Sequence, residues 1–157
     1  MKKKIVIIGA FVTIAIIFLS GCTSSPQNGS NSNSNFNTPS LQTQTEIFIK
    51  LANLSTKAKF YSFNSNGTNI RYFAVQDSSG NVHIAFDACD VCYEAKKGYQ
   101  QNGEMMQCKN CGKEFAITGI GVENTGGGCW PSYLPMRIEN DTVVIKISDL
   151  EEKSYMF

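Results

Sequence analysis

Histidine is nearly absent: the 157-residue chain has one, His83. A Ser-His-Asp catalytic set would have to use that single imidazole, and a histidine-rich metal site cannot be built. Excess charge of one sign is missing too. Lys and Arg number 14 against 13 Asp and Glu, a net of +1, so overall charge gives no argument for nucleic acid or for an acidic partner surface. No ten-residue amphipathic pattern marks a helix, and no long-period repeat is present. The length allows one domain and at most a small one besides, which is too little for a large enzyme. Against these shortages stands cysteine: six residues, of which all but Cys22 fall between residues 89 and 129. Special chemistry is therefore sought in that interval.

The start of the chain reads as an export signal. Lys2, Lys3 and Lys4 precede an apolar run from Ile5 to Leu19, the basic and apolar regions of a signal peptide. Fifteen residues at 1.5 Å each reach about 22 Å, short of a bilayer core of roughly 30 Å. Leu19-Ser20-Gly21-Cys22 resembles the lipobox of bacterial-type lipoproteins. That resemblance implies cleavage before Cys22, lipidation of its sulfur, and a chain held at the outer, extracytoplasmic face of the cell membrane. An uncleaved signal anchor is the alternative. Residues 22–45 are almost wholly Ser, Asn, Thr, Gln, Gly and Pro, too polar to offset their ordering entropy, so a flexible tether with a typical reach of about 25 Å is expected.

From residue 46 onward the apolar residues repeat with period two in short segments bounded by turn residues. Ile47, Ile49 and Leu51 alternate; Phe60 to Phe63 is followed by Asn64-Ser65-Asn66-Gly67; Ile70 to Val75 leads into Asp77-Ser78-Ser79-Gly80. Val82, Ile84 and Phe86 alternate next, which puts His83 on the solvent side of its strand. Asn102-Gly103 is another turn dipeptide, and Met136 to Glu139, Asn140-Asp141 and Thr142 to Ile147 form a closing hairpin. Pro131 and Pro135 bracket an irregular stretch outside any central sheet. The expectation for residues 46–157 is an all-β, small antiparallel barrel or sandwich.

Within it, Cys89-Asp90-Val91-Cys92 and Cys108-Lys109-Asn110-Cys111-Gly112 are two C-x2-C pairs fifteen residues apart. Each pair makes a tight turn that directs both sulfurs to one point, the spacing of a four-thiolate metal site. The intervening Tyr99 to Met106 reads as a hairpin that brings the two knuckles together. Gly112 lets the backbone turn so that N–H groups approach sulfur. Disulfides are the alternative, because the domain is exported. Cys129, in Gly126-Gly127-Gly128-Cys129-Trp130-Pro131, is either a further contact to the site from a covering loop or a small buried residue. Spacing alone leaves zinc, mononuclear iron and a [2Fe-2S] cluster open.

The order of features resembles a Rieske-type domain, with Cys92 and Cys111 where Rieske loops place histidine and one extra spacer residue in the first loop. A closer resemblance is to the FtrD-like family of membrane iron-sulfur proteins. It is carried by Ala85-Phe86-Asp87-Ala88-Cys89-Asp90-Val91-Cys92-Tyr93, Lys97-Gly98-Tyr99, Cys108-Lys109-Asn110-Cys111-Gly112 and Gly127-Gly128-Cys129-Trp130-Pro131. The resemblance implies an iron-sulfur cluster, [2Fe-2S] in the reading adopted, and a link to iron permease systems. Four thiolates, two sulfides and two ferric ions sum to −2, and to −3 when reduced; two imidazoles in place of thiolates would give 0 and −1. An all-cysteine centre therefore has the lower potential, nearer about −400 mV, and suits electron donation. Lys96, Lys97, Lys109 and Lys113, close to the ligands in sequence, would offset part of that charge; the alternative is that they are solvated surface.

Two classes of function follow. In the first, a lipid-anchored electron carrier holds an iron-sulfur centre through Cys89, Cys92, Cys108 and Cys111, and meets an iron permease or another membrane redox partner. No residue is nominated as catalytic. In the second, the same thiolates hold structural zinc, or are paired as disulfides, in an exported binding module. Thiol-disulfide exchange is a third, weaker reading, since the βαβ setting of thioredoxin-like folds is missing.

Overall fold

A computed structural model describes residues 44–157. The signal peptide, Cys22 and all but the last two residues of the tether lie outside the described residues. The expected turns set the first half of the domain. Strand β2 (Lys59–Ser65) runs into β3 (Thr68–Gln76) through Asn66 and Gly67, both in the left-handed region at φ 49° and 85°, as a two-residue hairpin of the I′ type requires. β3 pairs with β4 (Val82–Cys89), and β1 (Glu46–Lys50) precedes them. Short strands β5 (Tyr99–Asn102) and β6 (Met105–Cys108) form the hairpin between the knuckles, with Gly103 at φ 58° opening its turn. β7 (Glu114–Ala116) pairs back on β6.

The closing hairpin joins β9 (Arg137–Glu139) to β10 (Thr142–Lys146) through Asn140 and Asp141, at φ 47° and 56°. β10 ends one residue earlier than its apolar run suggests, because Ile147 opens the six-residue helix α1 (Ile147–Glu152). β1 lies along β10, Ile49 facing Val143. Between them in sequence, Pro131–Tyr133 is not irregular but a three-residue strand, β8, at the edge of the sheet β2-β3-β4-β8. An edge position is where a residue without an N–H is tolerated. The domain is a small all-β structure of three antiparallel sheets, β1-β10-β9, β2-β3-β4-β8 and β5-β6-β7.

The middle sheet is buried on both faces, and this decides where the cysteines point. Tyr72, Ala74, Ile84, Phe86 and Ala88 pack with Ile49, Val143, Ile145 and Leu150. Phe73, Val75, Ala85 and Cys89 pack on the other side with Tyr99, Met106, Cys108 and Phe115. Alternation along β4 thus sets Ala85 and Cys89 on the face toward β5 and β6. His83 shares that parity, and the expectation of a solvent-facing imidazole is corrected. Its side chain is only 13% exposed. Nδ1 lies 2.9 Å from the Ile120 carbonyl oxygen and Nε2 3.1 Å from Asp77 Oδ2. Gly121, at φ 89°, lies close over the backbone of His83 and Ile84 and lets the turn cover this strand.

Candidate metal centre

Both knuckles end a strand that is anchored in the second apolar cluster. Cys89 closes β4 and Cys108 closes β6; both are buried, whereas Cys92 is half-buried and Cys111 exposed. After Cys92 a single 3-10 turn (Tyr93–Ala95) ends at Lys96, φ 52°, and the chain enters β5. Pairing of Tyr99 with Cys108 then carries the second knuckle back beside the first. Lys109 N–H donates to the Gly98 carbonyl at 3.0 Å and Cys108 N–H to the Lys113 carbonyl at 2.9 Å, which closes the second loop.

All five cysteines in the described residues carry free thiols, so the paired-disulfide alternative has no counterpart in this structure. Their sulfurs gather as two triads, Cys89-Cys92-Cys129 and Cys92-Cys108-Cys111, each with its sulfurs within 4.8 Å of one another. Cys92 belongs to both. Cys129 Sγ sits 3.7 Å from Cys92 Sγ and 3.7 Å from Cys111 Sγ. Thiolates tetrahedral about an ion at about 2.3 Å stand roughly 3.8 Å apart, so these separations are those of sulfurs ready to share a metal.

The electrostatics differ from sulfur to sulfur. Burial pushes the Cys89 thiol up, but the backbone amides of Val91 and Cys92, with the Tyr99 side chain and the Trp130 amide, outweigh it and bring Cys89 down to about 7. Burial takes Cys108 up to about 11 against the opposing amides of Cys111 and Asn110. Desolvation, with hydrogen bonding among neighbouring thiols, takes Cys129 up to about 12. Cys111 is lowered, chiefly by the Lys113 amide. In each knuckle the amides two and three residues after the first cysteine thus face its sulfur, an arrangement that favours thiolate and orients a ligand. Gly112 turns the backbone at the second knuckle. Its own N–H donates to the Cys108 carbonyl at 2.9 Å, and its φ of 75° is what frees the next amide for Cys111.

The glycine loop is fastened to the first knuckle. Asp90 N–H donates to the Trp130 carbonyl at 3.0 Å, and Asn124 Nδ2 donates to Asp90 Oδ2 and to the Gly128 carbonyl, each at 3.0 Å. Gly127 and Gly128 are left-handed, at φ 70° and 78°. Trp130 meets the edge of Phe115 at 5.2 Å and donates Nε1–H to the Val122 carbonyl. Asp90 and Asn124 had no sequence pattern to reveal them, since the contact spans 34 positions. Asp87 is a further structural residue. Its buried carboxylate accepts the Tyr99 N–H at 2.6 Å and Arg71 Nε–H at 3.2 Å, locking β4 to β3 and β5.

Of the four lysines expected near the ligands, Lys96, Lys97 and Lys109 line with Arg71 and Phe60 a groove of about 410 Å³. Lys113 instead lies over the Phe115 ring at 5.2 Å. Among the described residues no helix is long and apolar enough to cross a membrane.

The donor set fits a thiophilic metal group on three counts: five convergent sulfurs, amides aimed at them, and a buried tyrosine hydroxyl, Tyr99 Oη, with no hydrogen-bond partner. Residues 54–157 match a family described as membrane iron-sulfur containing protein, FtrD-like. No relative is found among curated proteins.

Proposed function

The chain belongs to the FtrD-like family of membrane iron-sulfur containing proteins, and from that footing we propose that it is a membrane-held electron carrier whose cysteines bind an iron-sulfur centre. Cys89, Cys92, Cys108 and Cys111 are the ligands in this reading, with Cys129 a contact from the covering loop. The centre, when bound, supplies a one-electron couple. The chain's own residues do the rest. Cys89 and Cys108 hold the inner side within the apolar cluster, the knuckle amides stabilise thiolate charge, and the loop from Gly121 to Trp130 screens the outer side while Cys111 stays open to solvent.

The observation that carries the proposal is the pair of sulfur triads sharing Cys92. The thiolate set suits iron-sulfur and zinc alike, and the family match favours an iron-sulfur centre, read here as [2Fe-2S], over structural zinc. The resemblance to Rieske-type domains is part of the same reading. The cationic groove beside the site is where a redox partner would meet the domain, and the link to iron uptake comes from the family. Lipidation of Cys22 would supply the membrane attachment, and Cys22→Ser should then release the chain from membranes in a fractionation assay. For the carrier itself, the anaerobic protein should show visible absorption that bleaches with dithionite and returns on oxidation, over repeated cycles. Colour that is absent, or lost irreversibly in the first cycle, would overturn the proposal.

A further inference from the structure

Five sulfurs account for most of the site, and one buried polar atom stands beside them unused. Tyr99 is 1% exposed, and its hydroxyl has no hydrogen-bond partner. Three contacts fix its position. It pairs directly with Cys108 across the β5–β6 hairpin. Its N–H donates to Asp87, two residues before Cys89 on β4. Its ring packs against Phe73 and Phe115, centroids 6.0 and 6.1 Å away, so it cannot swing to solvent. The hydroxyl is close enough to influence Cys89 without completing a hydrogen bond to it.

A buried hydroxyl without a partner bears its full desolvation cost, and native structures rarely leave one so. Phenylalanine would fill the same space without that cost, so packing alone does not account for the oxygen. We propose that Tyr99 is a positioning residue whose hydroxyl donates a hydrogen bond to the inner sulfurs, Cys89 foremost, once the centre is in place, and so raises its reduction potential. The inference rests on the iron-sulfur reading above. A donor pointed at a thiolate withdraws charge from it and stabilises the reduced, more negative state more than the oxidised one. With no imidazole among the ligands, the centre's charge is high, and an apolar wall leaves a single dipole little screened. Burial first, then Cys89 and Cys108, push the tyrosine's own ionisation far up, so its proton stays on oxygen throughout. Only an electron enters the centre; no proton moves.

The full-length chain and its Tyr99→Phe variant are compared in detergent. Metal-free, the variant should melt at the same temperature as the parent or higher, because the oxygen it loses is unpaired. Loaded, its midpoint potential in a dye-equilibrated titration should shift downward. Fe–S stretching bands of the loaded parent should move on transfer to deuterium oxide, and fewer of them should move in the variant. The band shift in the parent needs no variant at all. Equal potentials and equal deuterium shifts in two loaded proteins would overturn the role of Tyr99 alone. Loss of stability in the metal-free variant with an unchanged potential would make Tyr99 a packing residue and overturn it as well. A parent without iron and sulfide overturns the iron-sulfur reading itself, and this inference with it.

Discussion

A methyl group added at Gly98 would overlap the Asp87 carboxylate, and the residue sits at φ 68°. Gly98→Ala therefore combines left-handed strain with loss of the buried bonds that Asp87 makes to Tyr99 and Arg71. The expected destabilisation is roughly 2–4 kcal/mol, read as a lower urea midpoint. An unchanged midpoint would mean that Asp87 does not lock the two knuckle-bearing elements. Asp77 gives a pH signature. Its carboxyl is held down to about 2, first by the Asn81 side chain, against burial, and then by His83 and the amides of Asn81 and Ser79. The unfolded chain binds a proton there near about 3.9, so the stability Asp77 contributes is present above that value and lost as pH falls toward about 2. Burial raises Asp87, which acts in the opposite sense, so the parent and Asp77→Asn are compared at each pH. The parent's advantage in urea midpoint should shrink between about pH 5 and pH 2; an advantage independent of pH would contradict it. At this scale the four cysteines of the two C-x2-C pairs were legible from spacing alone. Asp87, Tyr99 and Asn124 were not, because their roles come from partners 12 to 34 positions away or from neighbours that only folding supplies.

The turns carried most of the readable information about elements. Asn66-Gly67 and Asn140-Asp141 are dipeptides that tolerate left-handed backbone, and both form the tight turns expected of them. What the sequence concealed were the non-local choices. β1 lies along β10, more than ninety residues away. The proline-flanked stretch supplies an edge strand, and the polar-looking parity of β4, with His83, Asp87 and Cys89, faces the second apolar cluster and its covering turn rather than water. An alternating strand reads as half-exposed unless another layer closes over it, and that layer comes from distant sequence. The covering loop is testable as an element. Asn124→Ala removes its two side-chain bonds to Asp90 and Gly128, a loss of about 1–1.5 kcal/mol locally. Amide exchange at Asp90, whose N–H donates to Trp130, should accelerate about tenfold while exchange in β3 stays unchanged. Equal protection in parent and variant would show that the loop is held by other means.

Taken as a whole, the domain is two apolar clusters sharing one sheet, and the cysteine site grows out of the second. Its inner sulfurs belong to the core, and exposure increases outward through Cys92 and Cys129 to Cys111. Binding a metal group there joins the end of β4, the β5–β6 hairpin and the covering loop, three segments otherwise tied by a handful of hydrogen bonds. Domain-level order was readable from the sequence because strand periodicity, turns and paired cysteines are local signals. The convergence of a fifth sulfur was left open there, because it depends on the path of a glycine loop. The chain lacking its first 22 residues, purified without air, is analysed for iron, zinc and acid-labile sulfide. Iron and sulfide in equal amounts, about two of each per chain, is the expected result. One zinc per chain in a colourless protein, or a metal-free protein whose thiols are all blocked until reductant is added, would contradict it.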